Sequence, residues 1–399
     1  MTRDRCYLEN NKEKEMRKNF RFMSLLIVFV LMAGMLAACG AGEEAAPVVE
    51  EAVVEEEAVV EEVEEAEEVE EEAMAEPFVI GISNSFITSE YRTQMIDDLE
   101  QTNAEYMELG LTEALVIESE NTDVAGQIQQ IENLMNQNVD AILVNPGDAV
   151  ALNQILEEAV AAGIVVISID QEIEAEGVVN VGHDQKEWAN ISASWFAEKL
   201  QEGDVVLIEG FTGHPANLFR MSGVEEAFAD YPGINVLASE SGMWDEATGQ
   251  QVMADFLAAY PDLDGYWTQD GMAIGALQAV LAADLAKAPL GVGEGRVKFL
   301  KLWKEMLEID PEFESIAVSN SPGVAATGLR IAVELLQGKE LKDDVLVGQF
   351  GTTVYIDPPV IVTPENFDAV YAEYVDGGYP DSWLLDGILT LEETQALFK

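Results

Sequence analysis

The sequence predicts an α/β protein built of two similar lobes, each formed around a parallel sheet. From Phe78 onward, short runs rich in β-branched residues alternate with longer segments of helical period. This alternation is typical of parallel strands joined by helices. It runs to Gly182 and then begins again. The stretch 77–399 is about 320 residues long, which is enough for two lobes of ordinary size.

The elements of the first half can be assigned one by one. In order they are strand 78–82, helix 90–108, strand 115–117, helix 123–137, strand 141–144, a helix that runs to Ala162, strand 164–169 and strand 178–182. Ile128, Ile131 and Leu134 recur at helical spacing. Pro146 and Gly147 end the third strand, and Asp148 is predicted to cap the helix that follows.

The second half repeats this pattern. Strands are predicted at 204–209, 234–238, 264–268 and 315–318, with helices between them. Polar residues follow the strand ends of both halves: Ser83, Asn84, Asn145, Asp170, Gln269 and Asp270. In open α/β sheets, ligands bind in the crevice beyond the carboxyl ends of the strands. The set therefore predicts a ligand site at this edge.

A lipid-anchor signal precedes the predicted lobes. The apolar run 24–35 follows three cations, Arg17, Lys18 and Arg21, and small residues then lead to Cys39. The run has the length of a signal peptide and is too short to span a bilayer. We therefore expect a signal peptide over 1–38, with translation starting at Met1 or Met16, and lipidation of Cys39 as in bacterial lipoproteins. The mature protein would work outside the cytoplasm, held at the membrane through this anchor alone.

An acidic tether over 39–76 joins the anchor to the lobes. It holds seventeen glutamates and no Lys or Arg, and like charges three and four residues apart repel, so no packed core is expected there. The lobes are acidic as well, within a formal net charge of −56 for the whole chain. Such a surface repels nucleic acid and anionic lipid headgroups. Nucleic acid is therefore not an expected partner.

Motifs of catalysis are missing from the sequence. It has no Gly-x-Ser-x-Gly elbow, no phosphate-binding Gly-x-x-x-x-Gly-Lys-Ser/Thr loop, and only two histidines, His183 and His214. The glycines at 291, 293 and 295 have the wrong spacing for a dinucleotide fingerprint. We therefore expect no enzyme activity, no cofactor and no metal site.

Several stretches, in their order and spacing, resemble a known family. They are Gln130 to Leu134, Val139 to Pro146, Ala162 to Val166, Asp170, Arg220 to Val224, Tyr260 to Gly265 and Gln269 to Leu277. The chain resembles the extracytoplasmic sugar-binding proteins of ABC importers, of the ribose and galactofuranose type. The resemblance covers Phe78 to about Phe367.

This resemblance implies the type I periplasmic binding protein fold, in which two Rossmann-like lobes joined by three crossings close on a ligand. The crossings would lie near His183, Ser319 and Asp357. The implied lobes are residues 77–182 with 320–356, and residues 183–319 with 357–399. A monomer is expected.

The resemblance also implies a set of ligand-binding residues. In the first lobe, Tyr91 would stack on a sugar, Arg92 would bond to its hydroxyls, and Asp170 would match the aspartate after the fourth strand. That aspartate is usually followed by arginine, whereas this chain has Gln171, which puts the usual hydroxyl pattern in doubt. The second-lobe matches are Arg220, Trp244, Gln269 and Asp270, with Glu294 in place of an aspartate and Ser319 or Asn320 in place of a hinge amide.

Arginine usage supports part of this set. After the tether the chain has four arginines: Arg92, Arg220, Arg296 and Arg330. Two of them, Arg92 and Arg220, fall beyond predicted strand ends, one in each lobe. This placement favours bidentate hydrogen bonding of the two arginines to a ligand. The alternative is that they form surface ion pairs with the surplus carboxylates.

The implied function is capture of a monosaccharide and its delivery to an ABC permease. The alternative is a sensory protein that binds the same ligand and presents it to a chemoreceptor or a sensor kinase. The two functions use the same site, so the sequence does not separate them.

Overall fold

The computed structural model describes residues 76–87, 89–148, 150–283 and 285–399. The predicted signal peptide, Cys39 and the tether up to Ala75 lie outside the described residues. In the part of the chain that is described, no helix is both long enough and apolar enough to cross a membrane.

Two six-stranded sheets organise the described residues. In chain order the strands are β1 (Ile80–Asn84), β2 (Val116–Ser119), β3 (Ala141–Asn145), β4 (Val165–Ile169), β5 (Val179–Gly182), β6 (Glu202–Glu209), β7 (Gly233–Ser241), β8 (Gly265–Thr268), β9 (Leu290–Glu294), β10 (Ser315–Val318), β11 (Thr353–Tyr355) and β12 (Ile361–Val362). The strand orders are β11-β5-β4-β3-β1-β2 and β12-β10-β9-β8-β6-β7. All strand pairs are parallel except β10 with β12. The predicted two-lobed α/β fold is confirmed.

Helices cover both faces of each sheet. They are α1 (Glu90–Glu108), α2 (Val124–Asn136), α3 (Asn153–Ala161), α4 (Gln185–Leu200), α5 (Pro215–Ala229), α6 (Glu246–Ala259), α7 (Met272–Ala282), α8 (Val297–Ile309), α9 (Val324–Leu336), α10 (Phe367–Tyr371) and α11 (Leu391–Gln395). Strands β1 and β3 are buried along their whole length, as expected for central parallel strands. Successive residues of β3 point to opposite faces, so that Leu143 enters one core cluster and Ile142 the other.

One helix start differs from its prediction. Helix α3 begins at Asn153 rather than directly after Asp148. Asp148 Oδ1 accepts hydrogen bonds from the backbone N–H groups of Val150, at 2.9 Å, and Ala151, at 2.8 Å. These two bonds lower the pKa of Asp148. The Asp148 carboxylate therefore closes a turn ahead of the helix and does not cap the helix itself. Bonding to nearby backbone N–H groups in a turn is the alternative to helix capping for an aspartate side chain.

The hinge is formed by three crossings between the sheets, which lie between β5 and α4, between β10 and α9, and between β11 and β12. The buried His183 ring links all three. Its Nδ1 lies 2.6 Å from the carbonyl oxygen of Ile356, and its Nε2 accepts a hydrogen bond of 3.1 Å from the backbone N–H of Ser321. Burial lowers the pKa of His183, which keeps the ring neutral with its proton on Nδ1.

The chain passes between the lobes once more near its end. We call residues 377–399 the C-terminal strap. Leu385 N–H donates to the carbonyl of Gly295 in the second lobe at 2.7 Å, while Leu384 exchanges two hydrogen bonds with the Gln94 side chain in the first lobe. Phe398 is then buried in the first-lobe core. The prediction that all of 357–399 belongs to the second lobe is therefore wrong for the last part, whose apolar side chains complete the first lobe.

Candidate functional site

The nine predicted ligand-binding residues lie where the carboxyl ends of the two sheets face each other, next to the hinge. Tyr91 and Arg92 stand in the first turn of α1, Asp170 follows β4, Arg220 lies on α5, Trp244 precedes α6, Gln269 and Asp270 follow β8, Glu294 ends β9, and Asn320 follows β10. The polar ends of parallel strands converge at one edge of a sheet, which is why residues so far apart in sequence meet here.

In the second lobe, Arg220 is the centre of a buried network. Its side chain is 3% exposed, and Nη1 donates to Asp270 Oδ2 at 2.5 Å and to Gln269 Oε1 at 3.0 Å. Its Nε donates to Gln185 Oε1 at 2.7 Å. The guanidinium also lies 4.2 Å from the centre of the Trp188 ring. Charge-assisted bonds and an aromatic face thus fix its position before any ligand arrives.

Trp244 is held against this network by one hydrogen bond and by close packing. Its Nε1 donates to Gln269 Oε1 at 2.8 Å, and the Gln269 amide in turn donates to Asn217 Oδ1 at 2.9 Å. The indole lies so close to Gly210 that a Cβ there would come within 2.2 Å of it. Phe211 contacts the Trp244 ring edge-on, with 5.0 Å between ring centres. The ring orientation is therefore set by the protein.

In the first lobe, the corresponding contacts are longer. Arg92 Nη1 lies 3.4 Å from Asp170 Oδ2, and the Tyr91 hydroxyl donates to Asp170 Oδ1 at 3.3 Å. The same hydroxyl also lies 3.3 Å from the carbonyl oxygen of Ser321 at the hinge. Burial, followed by the Asp170 charge, raises the pKa of Tyr91 well above its usual value, so this hydroxyl keeps its proton.

Glu294 is 1% exposed and paired with Arg296, which lies 2.9 Å from both of its carboxylate oxygens. Burial raises the pKa of Glu294 to about 7, with Arg296 opposing the rise and Asp270 adding to it. Arg296 also reaches Glu90 of the first lobe at 3.3 Å. This arginine was not among the predicted site residues. Its rarity in the chain, and its place two residues after Glu294, were signals that could have identified it.

Three of the six described non-glycine residues with positive φ are predicted site residues. Asp170, Trp244 and Asp270 have φ of 72°, 55° and 51°, in the left-handed region that non-glycine residues seldom adopt. Such conformations cost on the order of 1–3 kcal/mol each and are concentrated at functional sites, where the surrounding structure holds them. Three of the nine predicted residues share this property.

Of the two hinge residues predicted as alternatives, Asn320 meets the site and Ser319 does not, and two residues that were not predicted join it. Asn320 Nδ2 lies 3.5 Å from Asp270 Oδ1, so the hinge contributes an amide to the second-lobe network. Ser319 instead bonds to the backbone of Val360. Gln185, beside the first crossing, and Trp188, on helix α4, both support Arg220. Neither residue type carries a local signal for such a role.

The site is thus a two-sided cleft of charged groups, amides and aromatic rings. A model of the periplasmic binding protein domain matches residues 80–340. A xylitol-binding protein of Mycolicibacterium smegmatis is 28% identical over 70% of this chain and 76% of its own length. A D-ribose/D-allose-binding protein of Pseudomonas aeruginosa is 31% identical over 55% of this chain and 70% of its own.

Solved structures agree with these matches. An ABC transporter periplasmic solute-binding protein of Actinobacillus succinogenes, with bound D-allose, is 25% identical, covers 73% of this chain and 99% of its own, and has a TM-score of 0.60. These relatives are binding proteins, which agrees with the expectation from the sequence that the chain is not an enzyme. The family match, the two-sheet topology and the hinged cleft together show that the chain belongs to the periplasmic binding protein family.

Proposed function

We propose that this protein captures a monosaccharide outside the cytoplasm and delivers it to an ABC permease. The observation that carries the proposal is the pairing of arginine with carboxylate on both sides of the cleft, Arg92 with Asp170 and Arg220 with Asp270, each pair beside an aromatic ring. The relatives named above, which bind xylitol, ribose or allose, support the same ligand class.

The chemistry of a sugar explains this combination of groups. A polyol carries many hydroxyls, and each one buried without a partner costs on the order of 1–3 kcal/mol. Carboxylates, guanidinium groups and amides each offer two atoms to neighbouring hydroxyls, and the carboxylates and guanidinium groups also make the stronger bonds of ionised groups. The rings of Tyr91 and Trp244 would cover the apolar C–H faces of the sugar.

Closure of the cleft follows from differential affinity. A ligand shifts the balance between open and closed forms only through contacts that it makes in the closed form alone. A sugar held first by Tyr91, Arg92 and Asp170 would gain the contacts of Arg220 and the residues around it when the second lobe closes. The closed form would then dock on the permease.

A thermal-shift screen of the protein against monosaccharides and alditols tests this function. Xylitol, D-ribose and D-allose come first, followed by other pentoses and hexoses. A sugar at one hundred times its Kd should add about 2.7 kcal/mol to the free energy of unfolding. Calorimetry should then give one bound ligand per chain, with the sugar recovered unchanged. If no sugar stabilises the protein, or if the sugar is converted, the proposal is wrong.

We also propose that Cys39 carries the lipid that holds the protein at the membrane. We expect mass spectrometry of the mature protein to recover an amino-terminal peptide that begins at a diacylated Cys39. The Cys39→Ala variant should lack the lipid. A mature chain that begins elsewhere, without lipid, would contradict the anchor while leaving the binding function intact.

A further inference from the structure

One arginine, Arg296, links the second lobe to the first across the cleft. Its guanidinium group uses two nitrogens on Glu294, with Nε 2.9 Å from Oε2 and Nη2 2.9 Å from Oε1. The third nitrogen, Nη1, lies 3.3 Å from Oε2 of Glu90 in the first turn of α1. A bidentate pair with a carboxylate fixes the plane of a guanidinium group. The second lobe therefore sets the direction in which Nη1 points toward the first lobe.

The backbone beside Arg296 is held in place as well. Leu385 N–H on the strap donates to the carbonyl of Gly295 at 2.7 Å. A Cβ on Gly295 would come within 2.7 Å of the Ser319 Cα, so this turn lies directly against the second hinge crossing. Only 11% of the Arg296 side chain is exposed. We therefore expect Arg296 to move with the second lobe.

Helix α1 of the first lobe makes two contacts, one turn apart, with these segments. Gln94 is 4% exposed and exchanges hydrogen bonds of 3.0 and 3.1 Å with the backbone of Leu384 on the strap. Glu90, by contrast, has a side chain that is 58% exposed. An exposed ion pair changes an equilibrium constant by only about two- to fivefold. The pair of Glu90 with Arg296 is therefore the contact that can open at small cost when the lobes separate.

The position of Glu90 connects this pair to the ligand site. Glu90 directly precedes Tyr91 and Arg92, and Ser89 caps the same turn by accepting a hydrogen bond of 3.3 Å from the Arg92 backbone N–H. The turn that carries two predicted ligand-binding residues is thus held against the second lobe while the pair is formed. A contact that joins the two lobes favours the closed form over the open one, because separation of the lobes breaks it.

We propose that Arg296 and Glu90 form a clasp that holds the cleft closed on a bound sugar and slows its release. Arg296 acts as a positioning residue, since it holds the first turn of α1 and leaves the contacts with the sugar to the residues of the candidate site. This inference rests on the proposed function, because the clasp acts on closure of the same cleft.

Release kinetics test the clasp. The probe is whichever of D-ribose, D-allose and xylitol stabilises the protein most, and stopped-flow tryptophan fluorescence follows its release. Glu90→Gln should raise the dissociation rate constant and the Kd about two- to fivefold and change the association rate constant less. Glu90 is more than half exposed, so the variant should fold like the parent. In about 1 M NaCl the two proteins should release the sugar at the same rate, because salt screens an exposed pair.

Glu100→Gln is the matched control, because it makes the same charge change at an exposed position of the same helix. Its rate constants should equal those of the parent. If Glu100→Gln accelerates release as much as Glu90→Gln does, the effect comes from the net charge of the first lobe and the clasp is overturned.

A double-mutant cycle separates the clasp from a general effect of Glu90 on α1, since a carboxylate in the first turn also stabilises a helix. Arg296→Lys keeps a cation beside the buried Glu294, but one ammonium group cannot reproduce the fork that reaches Glu294 and Glu90 together. In the Arg296→Lys background, Glu90→Gln should therefore have no further effect on release.

Two results would overturn the clasp while the proposed function stands. One is an unchanged dissociation rate constant in Glu90→Gln, and the other is an equal increase from Glu90→Gln in the parent and in the Arg296→Lys background. If no sugar binds to the parent, the proposed function is wrong, and the clasp is overturned with it.

Discussion

The two arginines that face the cleft are held very differently. Arg220 is 3% exposed and donates to three side chains at 2.5 to 3.0 Å, with Trp188 beneath it. Arg92 is 13% exposed, and its contacts with Asp170 and with the Met95 sulfur are 3.4 and 3.7 Å long. The second lobe therefore presents a fixed set of groups. The first lobe presents groups that have room to move when a ligand enters.

The difference teaches how a two-lobed binding site can combine specificity with motion. A preorganised network loses little entropy when it binds and rejects ligands that do not match it. Longer contacts at the edge of hydrogen-bonding range are weak and easily exchanged for contacts with a ligand. We expect truncations in the two lobes to separate stability from affinity, as the following predictions specify.

The largest effect is expected for Arg220→Ala. Removing this side chain leaves Asp270, Gln269 and Gln185 without their buried partner, so we expect both a loss of sugar binding and a fall of about 3 kcal/mol in the free energy of unfolding. Urea denaturation and calorimetry measure the two quantities. Arg220→Lys should retain part of the stability and little of the affinity, because an ammonium group cannot reproduce the bidentate geometry. If Arg220→Ala is as stable as the parent, the proposed contrast between a fixed second lobe and a looser first lobe is wrong.

Arg92→Ala should affect binding alone. Its loss removes charge-assisted bonds to the ligand that are worth about 1.5–3 kcal/mol. The free energy of unfolding should fall by less than it does in Arg220→Ala, because the contacts of Arg92 are longer and more exposed. Arg330→Ala is the control for affinity, since Arg330 is paired with Glu105 on the first lobe, outside the candidate site. Its affinity for the sugar should match the parent. If Arg330→Ala lowers the sugar affinity more than Arg92→Ala does, the candidate site does not lie where we place it.

A smaller effect is expected at the C-terminal strap, which connects the first lobe to the second. Asp98 on α1 is buried near the Asp386 carboxylate of the strap, and burial, with Asp386 adding to it, raises the pKa of Asp98 to about 9. The unfolded chain releases this proton near pH 4. Stability from Asp98 is therefore full below about pH 4, falls as the pH rises, and is lost when the pH passes about 9.

Asp98→Asn removes this titration, because the amide stays neutral at every pH. We expect a Tm at pH 8 that is higher than that of the parent by about 2–4 °C, the shift that roughly 1 kcal/mol produces in a large domain, and a much smaller difference at pH 4.5. Scanning calorimetry at the two pH values measures both. A difference that is the same at both pH values would show that Asp98 does not keep its proton in the folded protein at pH 8.

The sequence by itself determined the fold class and nine of the twelve described strands, while β9, β11 and β12 were not predicted. The positions of the hinge crossings came from the family resemblance. The fold class and the nine strands follow from local features: the period of apolar residues, the glycines and prolines that end strands, and the polar residues at strand ends such as Asp170 and Gln269. Parallel sheets bring strand ends together, so a list of strand-end residues already places most of the candidate site.

Only the tertiary structure decided how those residues are paired. Arg220 bonds to Gln185, 35 residues before it, and to Asp270, 50 residues after it, and Arg296 reaches Glu90 across the cleft, 206 residues away. The return of the strap to the first lobe is of the same kind, because Phe398 is buried in a core formed by residues hundreds of positions earlier. Ion pairs and apolar burial depend on distances in space, and local sequence patterns do not encode those distances.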